Sequence, residues 1–190
     1  MDEPLPRRDL RTTLLWMGML VAIFVGAWFW NGVAKYPEAT AQLVSLGFAL
    51  CLLVLSAIDL DRFLLPDMLT LPLIISGVIW TGFVQDELLL STLGAAIGYA
   101  SLAGLAWAWK RWRGEWGMGL GDAKLLAGLG AWLTAIQLPY LLLVASGLGL
   151  LVVLSVRIAT QGNENEKFLP FGPFLCAAAW ALWCAPNISV

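Results

Sequence analysis

Histidine is absent from this sequence of 190 residues, and charged residues make up only 13% of it. The lack of histidine excludes Ser-His-Asp and Cys-His nucleophile systems and HExxH zinc sites. Any acid–base chemistry must therefore come from carboxylates, lysine, tyrosine or cysteine. The sequence is 60% apolar, against about 45–50% in an average soluble domain. Together with a mean hydropathy of +0.81, this composition predicts a polytopic membrane protein.

Cysteine is also scarce, and its three copies, Cys51, Cys176 and Cys184, lie inside apolar runs. None of them has the CxxC spacing of a zinc knuckle or a redox pair. We therefore expect all three to be small core residues.

Long apolar segments predict an all-α fold with about seven transmembrane helices. The segments are 13–33, 42–60, 68–84, 88–109, 123–137, 138–157 and 170–185. The first follows three arginines, as a signal peptide would. Its apolar run of about 20 residues is longer than the 7–15 of a signal peptide core, which favours a retained helix.

The basic residues predict the orientation of these segments. If the N-terminus is inside and the sides alternate, the tail 1–12 and the loops 110–121 and 160–167 are cytoplasmic. All eleven lysines and arginines except Lys35 then fall on the inner side. This distribution predicts one membrane domain, 1–190, with a cytoplasmic N-terminus and an external C-terminus.

Aromatic and small residues fit the same interpretation. Many of the eleven tryptophans lie near predicted helix ends, as in an interfacial belt, and need no nucleic-acid partner: Trp28, Trp30, Trp107, Trp109, Trp112 and Trp116. Gly94 and Gly98 have small-xxx-small spacing, which predicts a notch for helix packing. We find no internal repeat.

Four acids lie near predicted helix ends. Asp67 and Asp122 could each cap a helix N-terminus, and for Asp67 we favour this role. Asp61 is expected to pair with Arg62 or to be solvated. Asp59 should lie within its helix, where an ionised aspartate costs about 2.5–3.5 kcal/mol near the bilayer centre and less toward the interface. Asp59 is therefore a functional candidate.

Three glycines, Gly117, Gly119 and Gly121, precede Asp122. They remove side-chain bulk and allow positive φ, so another segment could approach the acid closely. A nucleotide-binding loop is disfavoured because the strand it requires is missing. Both acidic clusters are predicted at the cytoplasmic face. Two facing carboxylates can share one proton, so that one activates water while the other protonates the carbonyl oxygen of a peptide bond.

These motifs resemble the prepilin peptidases, or type IV leader peptidases, which are membrane aspartyl proteases with a GxGD motif. The resemblance follows the family's order from about Gln42 onward. Its pieces are Ile58-Asp59-Leu60-Asp61, Leu64-Leu65-Pro66-Asp67, Leu69-Thr70-Leu71-Pro72, Gly117-Met118-Gly119-Leu120-Gly121-Asp122, Lys124-Leu125-Leu126, Gly130-Ala131-Trp132 and Leu169-Pro170-Phe171-Gly172-Pro173-Phe174.

The resemblance implies that Asp59 and Asp122 are the catalytic pair. The supporting motif residues are Gly119, Gly121, Asp61, Pro66, Asp67 and Lys124. It also implies the substrate, which is the basic leader of a prepilin or pseudopilin, cut after a glycine at the cytoplasmic face of the bacterial inner membrane. Such a protein would serve a pilus, a type II secretion system or DNA uptake.

One departure from the family concerns cofactors. Many members carry two CxxC pairs in a cytoplasmic domain and methylate the product with S-adenosylmethionine, whereas this sequence has no such pairs. We expect a short form without that domain, with no zinc, and with S-adenosylmethionine needed only if methylation is retained. The alternatives are a proton-coupled transporter, which the lack of repeats disfavours, or a non-catalytic assembly protein. The oligomeric state, including a homo-oligomer, stays open.

Overall fold

The computed structural model describes residues 18, 21–22, 24–26, 38–114, 119–159 and 170–185. Its regular structure over these residues is helical, as the composition predicts. Five helices have defined bounds: α1 Ala39–Arg62, α2 Asp67–Val84, α3 Leu88–Arg113, α4 Leu120–Ala159 and α5 Gly172–Cys184. The described residues of segment 13–33 are also helical. The tail 1–12 and the loop 160–167 lie outside the described residues.

Four of these helices, α1 to α4, contain stretches long and apolar enough to cross a membrane. Helix α5 is equally apolar but has only 13 residues. Many large apolar side chains on α1 to α4 point outward, as lipid-facing residues do, and they include Leu43, Leu50, Leu89 and Leu143. The chain is therefore a multi-pass membrane protein, and the part of it that the structure describes is all-helical. The count of seven spans and the sides of the termini remain predictions.

Helix α4 is broken at Thr134, whose φ of 68° and ψ of 167° are not helical. A break inside an apolar segment leaves backbone carbonyls that need donors, because lipid offers none. Two buried hydroxyls supply them. Ser91 Oγ donates to the carbonyl of Ala131 at 2.8 Å, and Thr81 Oγ1 donates to that of Trp132 at 3.1 Å.

The part of α4 after the break turns back toward the end of the bundle where α4 begins. A Cβ placed on Gly149 would lie 3.7 Å from the ring of Phe174, which is in the first turn of α5. Helix α4 thus has two apolar parts, one on each side of the break. The break lies at Thr134. The boundary predicted between 137 and 138, beside Pro139, is therefore wrong.

Helices α3 and α4 are in backbone contact at a seam of glycines. A Cβ on Gly94 would collide with the carbonyl of Gly130, and a Cβ on Gly130 would collide with that of Gly94. One turn further along, a Cβ on Gly98 would stand 2.6 Å from the carbonyl oxygen of Leu126. The packing notch predicted at Gly94 and Gly98 is confirmed, and it holds the first part of α4 against α3.

Tryptophans fill the core as well as the rim. Phe48 stacks on Trp132 at 4.4 Å between centroids, and Trp183 meets Trp132 edge-on at 5.5 Å. The interfacial interpretation fits the exposed Trp107, Trp109 and Trp112, but it missed these core rings. Trp28, Trp30 and Trp116 lie outside the described residues. Cys176 and Cys184 are buried in the core and Cys51 packs against it, as expected for small core residues.

Candidate active site

Asp59 lies inside α1, one turn before its end, as the sequence predicts. It is only 5% exposed. The helix stops just beyond it because Phe63 adopts a left-handed conformation with φ 54°, and the Phe63 amide donates to the backbone carbonyl of Asp59 at 3.0 Å. The chain then turns through Pro66 into α2. The buried carboxylate thus stands beside a tight turn at the end of the bundle.

Asp122 lies in the first turn of α4 and is half-buried. The glycine before it determines where this turn rests, since a Cβ on Gly121 would stand 3.2 Å from Cβ of Leu65 in the turn that follows α1. The start of α4 therefore packs on the segment next to Asp59. The two carboxyl groups are near enough for the charge on Asp59 to act on Asp122.

The N-terminus of α5 completes the surroundings of Asp59. The backbone N–H of Gly172, the first residue of that helix, donates to Oδ2 of Asp59 at 3.0 Å. The N-cap residue Phe171 makes no side-chain capping bond. A carboxylate from another helix therefore does what an N-cap side chain would do, and the positive end of the helix dipole faces it.

Asp67 and Lys124 join the starts of α2 and α4. Lys124 Nζ donates to both carboxylate oxygens of Asp67, at 2.6 and 2.8 Å. The cap role favoured for Asp67 is wrong. Pro66 occupies the N-cap position, and Asp67 is the first helical residue and makes no capping bond. The residue still complements the helix dipole, but its side chain is directed across to α4.

The remaining motif residues are less involved. Asp61 pairs with Arg62 at 3.7 Å, and both side chains are largely exposed, as predicted. A Cβ on Gly119 would meet only the backbone nitrogen of Gly121, at an ordinary contact distance of 3.9 Å, so packing against the described residues does not require glycine there. The positive φ considered for this run occurs at neither Gly119 nor Gly121. Gly117 lies outside the described residues.

Sequence reasoning missed the contact between Gly172 and Asp59. The sequence does contain a pointer to this contact. Pro170-Phe171-Gly172-Pro173 precedes an apolar run and belongs to the motifs that resemble the family, but sequence reasoning gave it no function. It also missed the polar bonds that support the break at Thr134. Ser91 and Thr81 read as ordinary polar residues within apolar segments, and only the fold assigns them to particular carbonyls.

The fold and the site together define a class: a helical membrane protein with two acidic side chains converging at one end of its bundle. Comparison with known sequences identifies the family. Residues 46–154 match the profile of the type IV leader peptidase family. The chain therefore belongs to that family, as its motifs predict.

Three relatives illustrate the similarity. The prepilin leader peptidase/N-methyltransferase of Aeromonas hydrophila is 44% identical over 137 residues, which cover 70% of this chain and 46% of that protein. The protein of that name from Pseudomonas putida is 40% identical over 183 residues, covering 93% and 60%. The one from Burkholderia pseudomallei strain 1026b is 39% identical over 179 residues, covering 92% and 56%.

The chain thus spans about half the length of the curated relatives it matches. No solved structure matches it significantly.

Proposed function

We propose that this chain is an aspartyl endopeptidase that removes the basic leader from prepilins or pseudopilins. The catalytic pair is Asp59 and Asp122, and cleavage occurs after a glycine at the cytoplasmic face of the bacterial inner membrane. Membership of the type IV leader peptidase family and the printed names of the relatives support the substrate class.

The observation that carries the proposal is the meeting of two carboxylates from sequence-distant helices. Asp59 is buried near the end of α1, and Asp122 lies within range of its charge at the start of α4. Two such groups in a poorly solvated place cannot both ionise cheaply, so one proton is shared between them. The cap of α5 needs only the carboxylate of Asp59, so a second acid placed beside it favours a chemical role for the pair.

The pair is suited to hydrolysis with a single water. The ionised carboxylate takes a proton from water as the water oxygen bonds to the scissile carbonyl carbon, and the other carboxyl group protonates the carbonyl oxygen. The tetrahedral intermediate then collapses, the C–N bond breaks, and the leaving amine takes a proton from the pair. The products are the free leader carboxylate and the new N-terminal amine.

The charges around the site support the cytoplasmic side. The last turn of α3, which leads into α4, carries Lys110, Arg111 and Arg113, and α1 ends at Arg62. The turn 85–87 between α2 and α3 holds two acids and no basic residue. An excess of basic residues marks the cytoplasmic side of a membrane protein. We therefore propose that the aspartate end of the bundle faces the cytoplasm.

The test is cleavage of a prepilin by the purified protein in detergent, read by mass spectrometry of the product's N-terminus. Asp59→Asn and Asp122→Asn should each abolish the cleaved product while the protein stays folded and inserts into membranes. The same spectrum reports any methyl group added to the new N-terminus, so it also measures methyltransferase activity.

Asp86→Asn is the matched control. Asp86 is an exposed acid in the turn between α2 and α3, away from the aspartate end, so this variant should cleave like the parent protein. If both Asp59→Asn and Asp122→Asn retained cleavage, the catalytic pair would be wrong. If the parent protein failed to cut several prepilins yet carried protons in liposomes, the transporter alternative would replace the peptidase.

A further inference from the structure

We propose that Gly172 is a positioning residue for Asp59, and this inference rests on the proposed function. Its backbone N–H holds one carboxylate oxygen of Asp59, and its missing side chain leaves the space in which that carboxylate lies. The motif Pro170-Phe171-Gly172-Pro173 thus sets the orientation of one member of the catalytic pair from the start of a different helix.

The first argument concerns the backbone N–H groups in the first turn of α5 and the acceptors to which they donate. The amides of Phe174 and Leu175 both donate to the carbonyl of Phe171, at 3.1 and 3.2 Å. Pro173 has no N–H to offer. The Gly172 amide is the first of these donors, and it bonds to Oδ2 of Asp59 at 3.0 Å. The local sequence thus directs one N–H toward the carboxylate and removes the next one along.

The second argument is space. A Cβ on residue 172 would stand 2.5 Å from Oδ2 of Asp59 and 3.0 Å from its Cγ. Real Cβ atoms essentially never come within 3.0 Å of a heavy atom, so alanine requires a shift of at least about 0.5 Å between α5 and the carboxylate. Displacements of about 1 Å can reduce turnover about 100-fold when reacting groups must be aligned. Glycine is therefore needed for the alignment of Asp59.

A purely structural role makes different predictions. If Asp59 only capped α5, Gly172→Ala would lower stability and the amount of folded protein, and the folded fraction would turn over normally. A positioning role predicts a fall in kcat of about 10- to 100-fold with a KM within about threefold of the parent value. Gly47→Ala and Gly104→Ala are matched controls because nothing lies within 4 Å of a Cβ at either position.

A second measurement does not depend on cleavage or on the folding of Gly172→Ala. Phe-Gly occurs once in the sequence, at 171–172, so protein labelled with carbonyl-¹³C phenylalanine and ¹⁵N glycine gives a single Gly172 amide signal in a carbonyl-edited NMR spectrum. Its proton should resonate downfield in the parent protein, move upfield in Asp59→Asn, which keeps a neutral acceptor, and move further in Asp59→Ala. Asp86→Asn should leave the signal in place.

The outcomes separate the two proposals. The positioning role would be wrong if the Gly172 amide signal did not shift in either Asp59 variant. It would also be wrong if Gly172→Ala had the same kcat as Gly104→Ala. Neither result would contradict the proposed peptidase activity. An NMR response to Asp59 without any prepilin cleavage would overturn the proposed function while confirming the bond. A response in the signal together with a kcat-specific loss in Gly172→Ala supports both.

Discussion

The glycine seam between α3 and α4 gives a sharp test of the fold, because each glycine of the pair blocks the other. Gly94→Ala would drive a Cβ into the carbonyl of Gly130, and Gly130→Ala would do the same to Gly94. These are backbone contacts, so neither can be relieved by a rotamer change, and the two helices must separate. Overpacking of this kind costs about 1–3 kcal/mol.

Alanine also stabilises a helix relative to glycine, and this gain offsets part of the cost of the steric clash. It favours a helix over glycine by about 0.5–1 kcal/mol. Gly104→Ala, on the same helix with open space around it, measures that gain alone. We therefore expect Gly94→Ala and Gly130→Ala each to lower the free energy of unfolding by about 1–3 kcal/mol relative to Gly104→Ala.

The double variant tests whether the two glycines act at one contact. Once the helices have separated for the first methyl group, the second finds the space already open. The cost of the double variant should be smaller than the sum of the single costs by at least about 0.5 kcal/mol. Unfolding in detergent mixtures of increasing sodium dodecyl sulfate, followed by circular dichroism, gives all four values. Single variants as stable as Gly104→Ala, or strictly additive costs, would refute the seam.

Three further predictions concern polar contacts, each measured by the same unfolding titration. Ser91→Ala should lower the free energy of unfolding by about 1–3 kcal/mol because a buried carbonyl loses its donor, whereas Thr92→Ala, at an exposed position, should change it little. Lys124→Met and Asp67→Asn should show a coupling of about 0.2–1 kcal/mol that shrinks with added salt. Asp59→Asn should stay close to the parent protein, and Asp59→Ala should lose about 0.5–2 kcal/mol with the cap of α5.

Each of these has an opposing result. Equal effects of Ser91→Ala and Thr92→Ala would mean that the carbonyl at the helix break finds another donor. A coupling between Lys124 and Asp67 that is absent at low salt would mean that the ion pair does not form in solution. If Asp59→Asn were as unstable as Asp59→Ala, the charge and not the acceptor oxygen would hold α5.

Much of the fold followed from hydropathy alone. The apolar segments 42–60, 68–84 and 88–109 correspond to helices α1, α2 and α3, with ends that extend by up to about one turn. Many of the added residues are polar, such as Lys110 and Arg113, and they continue the helix because its backbone hydrogen bonds form whatever the polarity of the side chain. Hydropathy detects the hydrocarbon layer, whereas a helix ends where its backbone turns.

Hydropathy could not distinguish core from lipid-facing positions, since both are apolar in a membrane protein. Trp132 and Trp183 were therefore not separated from the exposed Trp112. The break at Thr134 was misplaced for a related reason. Proline is a visible local cause of a kink, whereas this break depends on hydroxyls from two other helices.

The sequence predicted which acidic residues form the site, but it did not predict the hydrogen bonds that hold them. Asp59 and Asp122 each stood out as acids beside apolar runs, and the topology predicted that they share one end of the bundle. The bonds from Gly172 to Asp59 and from Lys124 to Asp67 join residues far apart in the chain. Only packing of the helices determines which donor reaches which acid.

The interrupted helix α4 also limits how members of this family can diverge. The carbonyls of Ala131 and Trp132 beside its break accept hydrogen bonds from buried hydroxyls, so positions 81 and 91 must offer a hydrogen while residue 134 keeps its conformation. Serine and threonine can replace each other there, but valine or alanine should survive only in sequences that have also straightened the helix. Substitutions at these three positions should therefore covary, although one lies on each of three helices.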